Sequence, residues 1–210
     1  MEKPLFIDTH AHLDDARFDK DRAEVITRAV EAGLKSIITV GCWRKAKGFG
    51  AMLKILNEND FIYGALAVHP HDAKDAGGDV PFELINKLSL EGPLNKIAAI
   101  GETGLDYHYE YSPKDMQREV FIRHIRLARE LNLPLIIHSR KAEEDTFAIL
   151  KDEGAGETGG VFHCFSGSIE AAKKAIDMGF YLSFTGIVTF PNAGEIREVV
   201  KNTPIEKMLI

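Results

Sequence analysis

The sequence predicts one α/β domain with the architecture of a TIM-type (β/α)8 barrel, and three observations lead to this prediction. Short β-branched or apolar runs alternate with stretches of helical periodicity throughout the sequence. These runs recur roughly every 25–35 residues, the usual length of one βα unit. No Ser/Gly/Pro-rich linker or block of like charge divides the 210 residues. Strands that alternate with helices pair in parallel, and eight of them favour a barrel over an open sheet.

Eight runs are interpreted as strands, each flanked by turn residues. In order, they span residues 5–8, 36–40, 62–68, 97–101, 134–138, 160–163 and 181–184, and the last begins near Met208. The eighth strand is expected to be incomplete, because the sequence ends at Ile210. Between these runs, helical periodicity predicts helices at residues 21–32, 113–131, 142–151, 169–178 and 193–200.

The helix at 113–131 is the longest of these candidates. Ser112 followed by Pro113 predicts an N-cap and a first helical residue. One face of the helix is apolar, which suits packing against a sheet. That face carries Val120, Phe121, Ile125, Ala128 and Leu131.

Composition narrows the class of protein. Hydrophobic residues make up 45% and charged residues 28%, an ordinary globular mixture without a membrane-length apolar run or a visible secretory signal. The two cysteines form no C-x-x-C pair, which favours a reducing, cytoplasmic setting. A formal charge of −6 argues against a broad basic surface that coats nucleic acid. It does not exclude a nucleic-acid enzyme, because metal ions can supply positive charge locally.

Residues of the types that bind metals follow the predicted strands. The first strand continues into Asp8-Thr9-His10-Ala11-His12. In an extended chain, residues i and i+2 point to the same side, so both imidazoles can reach one ion. Asp8 lies on that side as well and can orient the ligands. An H-x-H pair by itself also occurs by chance on solvated strand ends.

Three later strands repeat the pattern. Glu102 directly follows the apolar run of the fourth strand, where an unpaired carboxylate would be costly. A salt-bridged core glutamate is the alternative to a carboxylate that bridges two ions. His138 and His163 end the fifth and sixth strands. Barrel enzymes place their chemistry at the carboxyl ends of strands, so the set predicts a metal site there.

The ligand types restrict the metal. Imidazole with carboxylate suits Zn²⁺, Mn²⁺, Ni²⁺ or Fe²⁺ better than Ca²⁺. Two ions a few ångströms apart can activate a water and hold both the attacking and the leaving oxygen.

The motifs at these strand ends resemble the TatD family of metal-dependent deoxyribonucleases, a branch of the amidohydrolase-like barrels. The resemblance runs nearly end to end, in family order and spacing, through FIDTHAHLD, ALAVHPHDA, AAIGETGLDYHYEYSP, PLIIHSR, VFHCFSG and YLSFTG. D-x-H-x-H alone marks a wide superfamily, whereas IGETGLDY together with HCFSG is much narrower.

The resemblance implies two divalent ions, with Zn²⁺, Mn²⁺, Ni²⁺ and Mg²⁺ as candidates. It implies that His10 and His12 bind the first ion, that Glu102 bridges both, and that His138 and His163 bind the second.

Four more residues match family positions that line or brace the site: Asp106, Arg140, Cys164 and Ser166. Arg140 is expected to act in catalysis beside Glu102, because a guanidinium suits a phosphate oxygen. A surface salt bridge is the alternative for Arg140. Cys164 is interpreted as a small packed residue rather than a nucleophile, since no general base is assigned to it.

Other histidines are given supporting roles. His69-Pro70-His71 follows the third strand as in the family, and both histidines are expected to face substrate or to support the ligands. A purely structural role is equally open for them. His108 and His124 are assigned structural roles, because the first lies in a loop and the second within a helix.

Arg44, Lys45 and Lys47 follow the second strand and are expected at the rim of the same face. They can contact a DNA backbone there. An ordinary solvated loop is the slightly favoured alternative.

One departure from the family concerns its metal-binding aspartate just past the eighth strand, in a segment like E-T-D-x-P. This sequence ends at residues 208–210, a few residues earlier. The expected general base is therefore absent from the sequence. Residues 1–210 are interpreted as one hydrolase barrel domain truncated at its C-terminus, because an incomplete strand leaves unpaired backbone edges. A natural short form with impaired catalysis is the alternative.

Together, the residues and the resemblance predict a metal-dependent hydrolase, with DNA as substrate and 3′-to-5′ exonuclease action on single strands. The expected protein is a cytoplasmic monomer without membrane contact. An amidohydrolase or lactonase that acts on a small molecule is the rival enzyme, because related barrels use the same ligands. A non-catalytic barrel that only binds metal or DNA is the rival of a different class.

Overall fold

The computed structural model describes residues 5–44, 48–91 and 96–210. Eight parallel strands form one curled sheet of the TIM-barrel type, in the order β1-β2-β3-β4-β5-β6-β7-β8. The strands are β1 Phe6–Ala11, β2 Leu34–Cys42, β3 Ile62–Ala67, β4 Ile97–Asp106, β5 Leu135–Arg140, β6 Gly160–Phe162, β7 Tyr181–Ser183 and β8 Met208–Leu209. This architecture confirms the predicted fold class.

Helices connect consecutive strands. They are α1 Arg22–Glu31, α2 Gly50–Glu58, α3 Val80–Glu91, α4 Lys114–Leu131, α5 Glu143–Asp152, α6 Ile169–Asp177 and α7 Gly194–Asn202. The periodicity predicted five of these and did not single out α2 and α3. In the part of the chain that the structure describes, no helix combines the length and apolar character needed to cross a membrane.

The two faces of the sheet pack differently. Side chains alternate between faces along each strand. On β3, Ile62 and Leu66 belong to the large core shared with the helices, whereas Ala65 belongs to a small cluster on the other face. Val40 and Ile136 join that cluster from β2 and β5. This small apolar layer fills the interior of the curled sheet.

The sheet has two edges among the described strands, because β1 pairs with β2 and β8 pairs with β7. Apolar side chains are exposed along the β1 edge, at Leu5, Phe6 and Ile7. The strands in the middle of the sheet are enclosed by neighbours on both sides. The predicted barrel is therefore open between its first and last strands in this structure.

The start of α4 differs from the prediction. The helix begins at Lys114, and Pro113 occupies the N-cap position. The prediction of Ser112 as the N-cap is wrong, because its hydroxyl is used elsewhere. It donates to the carbonyl of His71 at 2.7 Å and accepts from the backbone N–H of Lys74 at 3.1 Å. Ser112 thus ties the loop after β4 to the loop after β3.

Candidate metal centre

Strand β4 departs from regular pairing at Glu102. The register with β5 shifts between Gly101 and Thr103, so Glu102 lies in a bulge. Bulges occur next to active sites because they redirect a side chain. A Cβ atom on Gly104 would lie 2.0 Å from the carbonyl oxygen of His138, so only glycine permits this approach of β4 to β5. The glycines of the IGETGLDY motif thus bring Glu102 and His138 together.

The Glu102 carboxylate, only 5% exposed, lies between two sets of histidines. Its Oε2 is 3.3 Å from His10 Nε2 and 3.8 Å from His12 Nε2. Its Oε1 is 3.0 Å from His138 Nδ1 and 4.0 Å from His69 Nε2. We call His10, His12 and Glu102 the first donor group, and His69, Glu102 and His138 the second. Within each group the donor atoms lie within 4.8 Å of one another.

The first donor group has the spacing of ligands around one cation. His10 Nε2 and His12 Nε2 are 3.2 Å apart. Ligands at the usual Zn–N distance in a tetrahedron lie about 3.4 Å apart. His12 Nδ1 is 3.1 Å from the Val40 carbonyl, which can only accept, so Nδ1–H donates and Nε2 keeps its lone pair. Asp8 Oδ1 accepts from the backbone N–H of His10 at 3.0 Å. These residues fit a metal ion.

In the second donor group, His138 lies between two carboxylates. Its Nδ1 is 3.0 Å from Glu102, and its Nε2 is 3.0 Å from Asp106 Oδ2. Burial alone would lower the pKa of His138, but the hydrogen bonds to Asp106 and Glu102 outweigh it and raise the pKa to about 9. Positive charge is therefore favoured at this position.

The Glu102 carboxylate is itself held ionised. Burial raises its pKa, but hydrogen bonds from His10 and His138 outweigh burial and bring the pKa well below the usual value. A buried carboxylate that stays charged between imidazoles is the group a divalent cation requires.

A different hydrogen bond fixes the tautomer of His69. The backbone N–H of His71 donates to His69 Nδ1 at 3.2 Å. That nitrogen is therefore the acceptor, and the ring proton lies on Nε2, which faces Glu102. Burial lowers the pKa of His69 to about 3, so the ring is neutral. With this tautomer, His69 Nε2 is a hydrogen-bond donor rather than a metal ligand.

Asp106 connects the second donor group to the loops around it. Its Oδ2 accepts from His71 Nε2 at 2.8 Å, in addition to His138. Its Oδ1 accepts from the backbone N–H groups of His108 and Tyr109, both at 3.0 Å. Burial raises the pKa of Asp106, but these hydrogen bonds, led by that of His138, bring it far below its ordinary value. His71, Asp106 and His138 form a third set with metal-binding spacing.

His163 lies on the other side of the site, against the first donor group. Its ring stacks on that of His10, with centroids 3.4 Å apart and planes 8° apart. Burial lowers the pKa of His163 to about 4, which leaves the ring neutral. Among the described residues, His163 belongs to none of the three donor sets. The structure thus brings it to the site but beside His10 rather than beside His138.

The HCFSG motif turns sharply after β6. Cys164 adopts a left-handed conformation with φ 48°, and its Sγ lies 3.1 Å from Thr185 Oγ1. Its backbone N–H donates to Ser183 Oγ at 3.3 Å. Ser166 is exposed. Cys164 is therefore held by the end of β7 and the residues after it.

The two predicted arginines have different neighbours. Arg44 lines a pocket of about 440 Å³ together with His12 and Asp14. Arg140 is exposed, and its guanidinium carbon lies 4.7 Å from the ring centre of Tyr109. Lys45 and Lys47, predicted beside Arg44, lie outside the described residues.

The sequence did not point to Gln117, which fixes the end of β4. The side chain is fully buried; its Oε1 accepts from Asp106 N–H at 2.8 Å, and its Nε2 donates to the carbonyls of Asp106 and Ser112. One signal was available. Gln117 precedes Val120 and Phe121 on the apolar face of α4, where a polar residue needs buried partners.

Comparison with known proteins places the chain among close relatives. The family described as TatD related DNase matches residues 7–210. The chain is 47% identical over 206 residues to an uncharacterised metal-dependent hydrolase of Bacillus subtilis, YabD, covering 98% of this chain and 78% of that protein. It is 37% identical over 211 residues to the uncharacterised metal-dependent hydrolase YcfH of Escherichia coli, covering 98% and 76%.

A solved structure gives the same result. The crystal structure of YjjV, a TatD homologue of Escherichia coli, superposes with a TM-score of 0.85 at 31% identity. The match covers 98% of this chain and 77% of that one. Sequence and structure comparisons therefore agree on one group of relatives.

Proposed function

We propose, from the premise that this chain belongs to the family of TatD-related DNases and is a metal-dependent hydrolase, that it hydrolyses phosphodiester bonds in single-stranded DNA. One observation carries the proposal. The two oxygens of Glu102 face different donor groups, Oε2 towards His10 and Oε1 towards His138. A carboxylate divided in this way is suited to bridge two cations.

The proposed ligands are those that the family resemblance implies. His10, His12 and Glu102 would hold one ion, and Glu102, His138 and His163 would hold the other. The choice of His163 over His69 is supported by the hydrogen bond from His71 N–H, which leaves the proton of His69 on Nε2. Burial keeps the ring of His163 neutral, the state in which an imidazole binds a metal ion. When bound, two divalent ions supply a water of lowered pKa and neutralise charge on the phosphate.

The other residues of the site position the ligands or bind the substrate. Asp106 holds His138 through Nε2, so that its Nδ1 stays directed at Glu102. His69 Nε2–H is a donor for an oxygen of the substrate. Arg140 and Arg44 bind phosphate oxygens of the strand. The proposed 3′-to-5′ direction is supported by the family resemblance.

The test is an assay of substrate class. The purified chain is supplied in turn with Zn²⁺, Mn²⁺, Ni²⁺ or Mg²⁺ and incubated with a 5′-labelled single-stranded oligonucleotide, with a lactone and with a cyclic amide. We expect stepwise shortening of the oligonucleotide from its 3′ end and no turnover of the other two compounds. Glu102→Gln should reduce the rate more than about a hundredfold, because it removes the shared charge while conserving shape.

Three results would contradict the proposal. Turnover of the lactone or the amide without cleavage of DNA would establish the small-molecule hydrolase instead. DNA binding without any hydrolysis, both by this chain and by a chain extended through the family's E-T-D-x-P segment, would establish a non-catalytic barrel. DNA cleavage that survives in Glu102→Gln would exclude the bridging role of that carboxylate.

A further inference from the structure

The loop after β4 carries a pair of exposed tyrosines beside the metal centre. The rings of Tyr109 and Tyr111 are stacked, with planes 1° apart and centroids 5.3 Å apart. Tyr109 is 46% exposed and Tyr111 is 56% exposed. Neither ring belongs to the apolar core. Two large aromatic surfaces are thus presented to solvent at the end of the sheet where the donor groups lie.

The conformation of this loop is fixed by the site itself. The backbone N–H of Tyr109 donates to Asp106 Oδ1 at 3.0 Å. Glu110, between the two tyrosines, has φ 49°, a left-handed conformation that is unfavourable for a residue with a side chain. Its carboxylate is 3.1 Å from Lys114 Nζ. The stacked rings therefore sit on a defined turn anchored to the residue that orients His138.

The pair lies next to groups that suit a phosphate. The ring of His71 meets Tyr111 edge-on with centroids 4.8 Å apart, and it hydrogen-bonds Asp106. The guanidinium of Arg140 lies over one face of the Tyr109 ring, 4.7 Å from its centre. An aromatic surface thus lies next to a cation that can bind a phosphate, and both are near the metal centre that contains Glu102. Nucleotides combine these two requirements, a flat base and an anionic phosphate, within one unit.

We propose that Tyr109 and Tyr111 form a stacking platform for a nucleobase of the DNA strand whose phosphate enters the metal centre. This inference rests on the proposed function and adds to it the way in which the strand is held. Stacking on tyrosine tolerates any base, because every base has a π-face. The platform thus gives affinity for single-stranded ends, whose bases are unpaired, without sequence preference. Arg140 binds the phosphate that adjoins the stacked base.

The experiment compares two oligonucleotides that differ only in their bases. One is a plain single-stranded oligonucleotide, and the other carries abasic tetrahydrofuran units at its three 3′-terminal positions. The variants are Tyr109→Leu and Tyr111→Leu, which remove the aromatic ring, and Tyr111→Phe, which keeps it. Both kcat and KM are measured for each pair.

Tyr181→Leu is the matched control. Tyr181 is 43% exposed and has Lys207 Nζ 4.7 Å from its ring centre, so it resembles Tyr109 in exposure and in its cation. It begins β7, at the opposite end of the sheet from the donor groups.

The wild type should prefer the oligonucleotide with bases by roughly 5-fold to 150-fold in kcat/KM, mainly through KM. Each leucine variant should lose most of this preference. Tyr111→Phe and Tyr181→Leu should retain it. Equal rates on both oligonucleotides in the wild type, or an unchanged preference in both leucine variants, would overturn the platform.

A second measurement separates this inference from the proposed function. If the wild type cleaves no DNA, the proposed function fails, and anisotropy binding of the same two labelled oligonucleotides to the metal-loaded protein decides about the platform. Tighter binding of the oligonucleotide with bases, lost in Tyr111→Leu, would support it. Equal binding of the two would overturn it.

Discussion

The two donor groups share Glu102 but differ in how their histidines are held. In the first group, His12 directly follows the edge strand β1, and its side chain is 43% exposed. The hydrogen bond from its Nδ1–H to the Val40 carbonyl sets its orientation. In the second group, His138 is on β5 within the sheet, 20% exposed, and both ring nitrogens meet carboxylates. In the first group His12 is open to solvent although His10 is buried, whereas both histidines of the second group are largely enclosed.

The protonation of the rings follows the same division. The hydrogen bond to Val40 leaves His12 Nε2 with a lone pair, ready for a cation. The bonds to Glu102 and Asp106 raise the pKa of His138 and keep protons on both of its nitrogens. A cation that binds His138 must displace a proton, and metal binding at the second group is thus coupled to proton release. Enclosure therefore fixes the geometry of the second group, but a metal ion must compete there with the proton on His138.

The largest difference between the groups is expected in stability. His138→Ala leaves buried Glu102 and Asp106 without their shared cation, which should cost roughly 3 kcal/mol. His12→Ala removes hydrogen bonds only at a half-exposed position and leaves no buried charge unpaired, so it should cost less than about 1 kcal/mol. Urea unfolding of both variants in the presence of a chelator measures the two values. Similar losses of unfolding free energy in the two variants would mean that His138 contributes no more to stability than His12 does.

The number of metal ions bound per chain distinguishes the roles of His163 and His69 at the second ion. His163→Ala should lose one of two bound equivalents, because His163 is proposed as a ligand of the second ion. His69→Ala should retain both equivalents and lower kcat/KM roughly tenfold or more, because it removes only a donor to the substrate. Mass spectrometry of metal content, with kinetics alongside, tests both. Loss of metal from His69→Ala with full content in His163→Ala would reverse the assignment.

Much of this arrangement followed from local sequence. The strand–helix alternation predicted the sheet, and the i, i+2 spacing of His10 and His12 placed both imidazoles on one side. The position of Glu102 directly after a buried run predicted its convergence with His138. These predictions needed only periodicity and the rule that parallel strands end at one edge.

The hydrogen-bond network could not be predicted in the same way. Ser112 bonds to His71, 41 residues away, and its apparent role as an N-cap concealed that contact. Gln117 reaches Asp106 only because α4 packs across the end of β4. The stacking of His163 on His10 joins β6 to β1 and depends on the curl of the whole sheet. Such contacts depend on tertiary packing and have no local signature.

The last expected effect depends on pH and concerns His124, through which the enclosure of the second group extends into α4. The backbone N–H of Val68, next to His69, donates to His124 Nε2 at 3.0 Å, and His124 Nδ1–H donates to the Val120 carbonyl at 2.7 Å. Burial lowers the pKa of His124 to about 4. Because the folded pKa is below the unfolded value of about 6.5, the unfolded state takes up the proton first as pH falls. The stabilising contribution is complete above pH about 6.5 and is lost as pH falls towards 4.

His124→Gln isolates this contribution, because the amide oxygen can accept from Val68 N–H but does not titrate. Between pH 7 and pH 5, the wild type should lose up to roughly 2 kcal/mol more free energy of unfolding than the variant. Urea unfolding of both proteins in chelator at pH 7, 6 and 5 provides the difference. A difference that stays constant with pH would show that His124 is not buried as a neutral ring. The buried polar groups around the second donor group would then be Asp106 and Gln117 without a neutral His124.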